Sequence, residues 1–480
     1  MSIRGQLKKL TGETFIYGVS GILSKFISFF LIPFYARKLS QEEYGDIALL
    51  NSVYFFISVI ACLGLDSAVY RWYFDDKETT GRIRLFNLWF STQFKISVVL
   101  IILASLVSFW FGQKFLASEY RYFLLALVSF NILLNLFYLV ITEWLRINLK
   151  AAQTVLFSLT MVVLSFLFSA ILILYYYLNV LGFFLGQTIA LTIITIMAVF
   201  KYPALYKFIR IDKKLLGPML KYGLNIIPAT LCATVVLMVT NFIIQSQFSS
   251  ASLGLYQMGN NLAAVIMLLT SAFATAWSPF SFSIMNDPSS KMIYAKVLEV
   301  YFSVICVAAF GIALLAPEAL YFIATSKFSG SAVVAGILAY HYFISSLSTI
   351  AITGLAIAKK VEIYSRVVIF SGVLTILAEL ALIRFDKEGL ALGMLIGQAL
   401  IPILLFYFSQ KKFYIPYNFY KITIVLVSSL IILYFGSKLS FDNTGLLLTL
   451  KFALVLLLFT VVLLTQKKAI LSFVKIKLKK

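Results

Sequence analysis

The chain has 480 residues, of which 61% are hydrophobic and only 12% charged. Soluble domains are about half apolar and a quarter charged, so this composition excludes a soluble enzyme, a disordered chain and a collagen-like fibre. It also excludes a porin-type barrel, whose strands alternate around a polar lumen, and leaves a polytopic helical membrane protein. The net charge of +21 lies in the segments between apolar runs, where it sets topology and does not mark a nucleic-acid partner.

Fourteen apolar runs are long enough to span a bilayer, which needs about 20 residues. They fall near 12–35, 44–65, 85–111, 121–142, 154–178, 180–200, 217–245, 253–280, 292–316, 331–357, 362–384, 388–409, 418–436 and 443–466. Arg4, Lys8 and Lys9 precede the first run, which lacks a small-residue cleavage site and reads as a retained helix. With the N-terminus inside, 28 of the 40 basic residues fall on the inner side and 8 on the outer side. The positive-inside rule then places both termini in the cytoplasm. No connecting segment is long enough for a soluble domain.

The chain repeats itself. Leu181-Gly182-x-x-Leu185-Gly186-Gln187 returns as Leu392-Gly393-x-x-Ile396-Gly397-Gln398, and Gly45/Gly254, Asn51/Asn260 and Tyr17-Gly18/Tyr222-Gly223 recur at nearly the same offset. The spacing predicts two pseudo-symmetric six-helix lobes, 1–200 and 217–410, joined by a basic cytoplasmic linker at 201–216. Two peripheral helices and a basic tail follow at 411–480. Six spans per lobe give both lobes the same orientation, as in transporters built from parallel repeats. Gly182/Gly186 and Gly393/Gly397 read first as close helix packing.

Chemistry-bearing residues are sparse. Cys62, Cys232 and Cys306 lie far apart in apolar runs and suggest no disulfide framework. His341 stands alone, no metal-ligand or nucleotide-binding motif occurs, and no metal or cofactor is expected. Ionisable groups at membrane depth therefore carry the functional expectation. Lys25 lies midway along the first span on a face shared with Thr14, Gly18, Gly21 and Ser28. It either meets an anionic ligand in a wet cavity or snorkels or pairs with a carboxylate. Lys95 follows Asn87 and Ser91 at i+4 steps and offers the same choice between anion binding and an internal ion pair. Lys451 reads as a snorkelling residue. Glu379, Glu13 and Asp66 are the candidate coupling carboxylates, with Arg384 as a salt-bridge partner for Glu379. Asn51, Asn241, Gln245, Gln257 and Asn261 could bond a glycan or neighbouring helices.

The runs Phe15-Ile16-Tyr17-Gly18, Leu31-Ile32-Pro33-Phe34-Tyr35-Ala36-Arg37, Leu39-Ser40-Gln41-Glu42-Glu43-Tyr44-Gly45, Leu63-Gly64-Leu65-Asp66-Ser67-Ala68 and Ala276-Trp277-Ser278-Pro279-Phe280 resemble those of bacterial polysaccharide flippases. These are the O-antigen and capsule translocases of the multidrug/oligosaccharidyl-lipid/polysaccharide exporter superfamily. The resemblance implies two lobes around a cavity and transport of undecaprenyl-pyrophosphate-linked oligosaccharide to the outer leaflet of the cytoplasmic membrane, with no enzymatic step. It implies membrane lipids, a polysaccharide polymerase and chain-length machinery as partners, and a pyrophosphate-holding role for Lys25 and Lys95. The chain departs from the family pattern at Thr240-Asn241, where many relatives carry Asp-Arg, and at Asn261, where a basic residue is common. The anion-binding role then falls mainly on the first lobe. A cation-coupled drug or metabolite antiporter and a membrane polymerase or ligase are the alternatives. The central positive charge disfavours the first and the short outer loops disfavour the second.

Overall fold

The computed structural model describes residue 27 and residues 31–76, 78–115, 121–360, 362–439, 441 and 443–477. Those residues are overwhelmingly helical, because backbone polar groups in hydrocarbon must bond within their own segment. Twelve stretches among them are long and apolar enough to cross a membrane. One, Glu362–Lys412, contains both the eleventh and the twelfth expected spans, and the first span lies mostly outside the described residues. Thirteen of the fourteen expected spans thus have a counterpart among the described residues.

The chain forms two compact units, Met1–Gly254 and Leu255–Lys480. In the first unit, α1 (Gln41–Cys62) opens with a capping box. The Glu43 N–H donates to Ser40 Oγ at 3.2 Å and the Ser40 N–H donates to Glu43 Oε2 at 2.8 Å. This satisfies two N-terminal donors reciprocally. The helix ends earlier than its hydropathy suggests, because Leu63 and Gly64 both take left-handed backbone angles (φ 48° and 66°). The chain restarts as α2 (Leu65–Tyr73). Gly64 is required there: a methyl at its position would lie 2.7 Å from the carbonyl oxygen of Gly223.

Next come α3 (Thr79–Phe115), α4 (Arg121–Ile147), α5 (Ala151–Leu174) and α6 (Asn179–Lys201). α7 (Lys213–Gln247) is capped by Asp212 and carries Pro218 and Pro228 internally. It packs along α1 and α2. A core of edge-on aromatics joins α2, α3 and α4, with Phe86 and Trp144 centroids 5.0 Å apart and Tyr73 and Trp144 6.0 Å apart.

α8 (Ser250–Ala263) begins in the first unit and continues into the second. The second unit then holds α9 (Val265–Ser283), α10 (Ser290–Ala324), α11 (Ala332–Ser346), the short turns Ser348–Ala351 and Thr353–Ile357, α12 (Glu362–Leu382), α13 (Asp386–Lys412), α14 (Phe419–Ser437) and α15 (Thr444–Lys477). Trp277 anchors α9: its Nε1–H donates to Thr353 Oγ1 at 3.0 Å, and its ring stacks on Phe273.

The repeated glycines do what small residues do between membrane helices, which is to let backbones approach. A methyl at Gly186 would lie 2.4 Å from Ser169 N on α5, and one at Gly397 would lie 2.3 Å from Thr375 Cα on α12. Gly217 on α7 has no atom within 4 Å of the same position. Gly397→Val should therefore cost about 1–3 kcal/mol by overpacking, whereas Gly217→Ala should gain up to about 1 kcal/mol of helix propensity. Thermal unfolding of detergent-solubilised protein reads both. Equal melting temperatures in the two variants would contradict this packing.

Candidate functional site

The residues expected to carry function part into three sets. Lys25 and Glu13 lie outside the described residues. Lys95 is exposed on α3, one turn beyond Ser91. Its two stripe-mates have structural work: Asn87 Oδ1 accepts the Lys207 N–H at 3.1 Å and Ser91 Oγ accepts the Ile209 N–H at 3.0 Å. The α6–α7 linker is thereby fastened to α3, and the polar stripe on that helix is partly a backbone-satisfying device.

The amides divide similarly. Asn241 is buried on α7, where its Nδ2 donates to the Ala48 carbonyl of α1 at 3.4 Å. One turn on, Gln245 Nε2 donates to Ser250 Oγ, and that hydroxyl donates to Asp46 Oδ1 at 3.2 Å. Asp46 is only 2% exposed. This chain ties α1 to the α7–α8 junction, where Gly45 and Gly254 also let backbones meet. A methyl at Gly45 would lie 2.0 Å from the Ser250 carbonyl oxygen, and one at Gly254 would lie 1.9 Å from that of Gln41. Sequence reasoning passed over Asp46, although an acid about one and a half turns inside a membrane-spanning helix is itself a signal. Asn51 is half-buried on α1. Gln257 and Asn261 are half-buried on α8 and bond to each other at 3.0 Å, and the neighbouring Asn260 accepts from the Tyr342 hydroxyl at 2.7 Å.

Among the carboxylates, Asp66 is half-buried in the first turn of α2, where the helix dipole favours it. Glu379 is fully buried on α12 against Gly393, whose added methyl would lie 2.8 Å from Glu379 Cγ. Arg384, the partner that spacing suggests for it, is exposed and lies over the Phe385 ring with its guanidinium carbon 5.1 Å from the centroid. His341 sits 3.5 Å from Ser345 Oγ within its own helix.

Lys451 does not snorkel. It is 5% exposed, and its Nζ donates to Glu318 Oε1 of α10. Lys421 of α14 similarly meets Glu299 of α10 at 3.3 Å. The two C-terminal helices are thus each fastened to α10 by an ion pair. Pairing wins over snorkelling because Glu318 is within reach at the same depth and each charge lowers the other's desolvation cost. Among the described residues, no group of three His, Cys, Asp or Glu side chains could hold a metal ion.

Comparison with solved structures assigns the architecture. The chain is similar to a lipid II flippase, MurJ, in an inward closed conformation, with a TM-score of 0.70 at 16% identity over 97% of this chain and 100% of that one. It is also similar to a multidrug resistance MATE family transporter of the MOP superfamily. The inward-facing form gives a TM-score of 0.65 at 13% identity over 81% and 94% of the two chains, and the outward-facing form gives 0.58 at 13% identity over 83% and 95%. The fold is therefore the multi-pass membrane architecture that these solved transporters share. A family model described as a polysaccharide biosynthesis protein matches residues 34–333. This chain belongs to that family. No curated protein sequence matches it significantly.

The Lys451–Glu318 pair makes a direct prediction. Lys451→Met should strand a carboxylate at membrane depth and cost about 3 kcal/mol, and adding Glu318→Leu should recover most of the loss. Melting temperatures of the single and double variants test this. A double variant no more stable than the single one would contradict the pairing.

Proposed function

We propose that this protein is a flippase that carries an undecaprenyl-pyrophosphate-linked oligosaccharide from the inner to the outer leaflet of the bacterial cytoplasmic membrane by alternating access. The observation that carries the reading is the polysaccharide-biosynthesis family match over residues 34–333 on a chain with the fold of a lipid II flippase. The first feature implies glycan assembly, and the second implies a scaffold suited to moving a lipid-linked sugar. The long elements among the described residues are helices fit to cross a membrane, joined by short connections, which supports movement of a substrate as the chain's work. The excess of basic residues on one side supports an orientation with both termini cytoplasmic.

The physical problem in such transport is a pyrophosphate at membrane depth, where an unpaired charge is costly. On this reading Lys25 and Lys95 supply the positive charge that offsets it. Asn51, Gln257 and Asn261 are suited to the uncharged glycan, since amides bond sugar hydroxyls without a charge preference. Asn241 and Gln245 are occupied in joining α1 to α7 and α8, and their contribution is to packing. A polymerase and chain-length machinery would take up the delivered repeat units outside.

A second reading, a cation-coupled antiporter, draws on the likeness to MATE transporters and on the buried carboxylates Glu379 and Asp46. Asp46 already accepts from Ser250, which favours a structural role for it.

The test is translocation of a fluorescent undecaprenyl-pyrophosphate oligosaccharide in proteoliposomes. Lys25→Ala should reduce the initial rate by about a hundredfold, and Lys25→Arg should retain part of it, since an intramembrane counter-charge is worth about 2.5–3.5 kcal/mol. A wild-type rate in Lys25→Ala would remove Lys25 from the mechanism.

A further inference from the structure

The linker between α6 and α7 is held with unusual firmness for a basic connecting segment. After the turn Pro203–Tyr206, residues 207–212 have irregular backbone. Besides the two bonds to Asn87 and Ser91, Ser91 Oγ donates back to the Lys207 carbonyl at 3.4 Å. Asn87 is 4% exposed and Ser91 0%. The Tyr206 hydroxyl donates to the Phe137 carbonyl at 3.0 Å, and Phe208 packs on Phe94 and Phe90 with centroids 5.0 and 5.2 Å away. Arg84 meets Asp212 at 3.2 Å and closes the far end.

The depth of this attachment is the unexpected feature. Arg84 is largely exposed, and Ser91 lies seven residues further along α3, roughly 10 Å at 1.5 Å per residue. Irregular backbone at that depth is tolerated only where it is buried in protein or lines a water-filled space. One side of the linker is buried on α3. The other side exposes Lys207 and Arg210, and neither forms an ion pair with a described residue. Lys95, exposed one turn beyond Ser91 on the same helix face, is the next cation inward. Cations exposed on a fixed backbone suit a polyanion, and an arginine fork beside a lysine suits phosphate oxygens. Basic residues that only set topology have no need of a fixed backbone.

We infer that Lys207 and Arg210, held in place by the Asn87–Ser91 strap, form a docking site for a phosphate-bearing lipid headgroup on the linker side of the first unit. The inference deepens the flippase reading and rests on it for one of two sources, the pyrophosphate of the transported lipid. The other source is an anionic phospholipid of the same leaflet. The phosphate chemistry is shared, and the arms of the test separate the two.

Purified full-length protein in neutral detergent is titrated with a fluorescent polyprenyl pyrophosphate lacking glycan, and separately with fluorescent phosphatidylglycerol. Lys207→Gln/Arg210→Gln should weaken binding of at least one probe by about tenfold or more, and the probe affected identifies the source. Lys207→Arg/Arg210→Lys should stay within about threefold of wild type. Asn87→Leu/Ser91→Ala, which keeps both cations but frees the backbone, should weaken the same probe, with elution profile and melting temperature reporting that the fold survives. Binding of both probes within about twofold of wild type in the Gln double variant would overturn the site. Unchanged binding in a folded strap variant would also overturn it, as a positioned site. Failure of the flippase reading would look different: wild-type protein would move no glycolipid, yet the Gln double variant would still lose probe binding.

Discussion

Inside hydrocarbon, each backbone N–H and C=O must find a partner within the protein, and most of this structure follows from that requirement. It makes the apolar runs helical. It also governs the places where the chain stops being helical. At Leu63–Gly64 the left-handed break is covered by the backbone of Gly223 on α7. At residues 207–212 the linker's N–H groups are received by Asn87 and Ser91. At the α7–α8 junction Gln245, Ser250 and Asp46 form a connected chain. Polar residues in this protein are spent first on the irregular backbone, and what remains exposed is available to a substrate.

That order of priority sorts the charges. Glu299, Glu318, Lys421 and Lys451 neutralise one another and hold α14 and α15 to α10. Lys95, Lys207 and Arg210 are exposed and unpaired with any described residue in the first unit. Within the described residues the second unit presents mainly amides, hydroxyls and aromatic rings around α8 and α9.

Much of the fold was legible because membrane helices obey a simple length rule. Span number and the packing role of the repeated glycines could be read from hydropathy and spacing, and Gly186 and Gly397 lie against α5 and α12 as that reading requires. The break at Leu63–Gly64 was hidden, because its apolar residues continue the hydropathy of the helix before it while the backbone turns away. Site chemistry was less legible. The i+4 stripe Asn87–Ser91–Lys95 announces a polar face, but spacing along one helix says nothing about the segment 116 residues later that binds to Ser91. Lys451 and Glu318 are 133 residues apart, and only the tertiary fold reveals that one neutralises the other. Asp46 was masked by its place beside a recognisable helix start.

The central claim is that the chain moves a lipid-linked oligosaccharide and not a cationic small molecule. Purified protein in proteoliposomes, supplied in parallel with a fluorescent undecaprenyl-pyrophosphate oligosaccharide and a cationic dye, tests it most directly. The account predicts that glycolipid crosses between leaflets while the dye stays where it was placed. Dye transport driven by an ion gradient, with the glycolipid immobile, would contradict it.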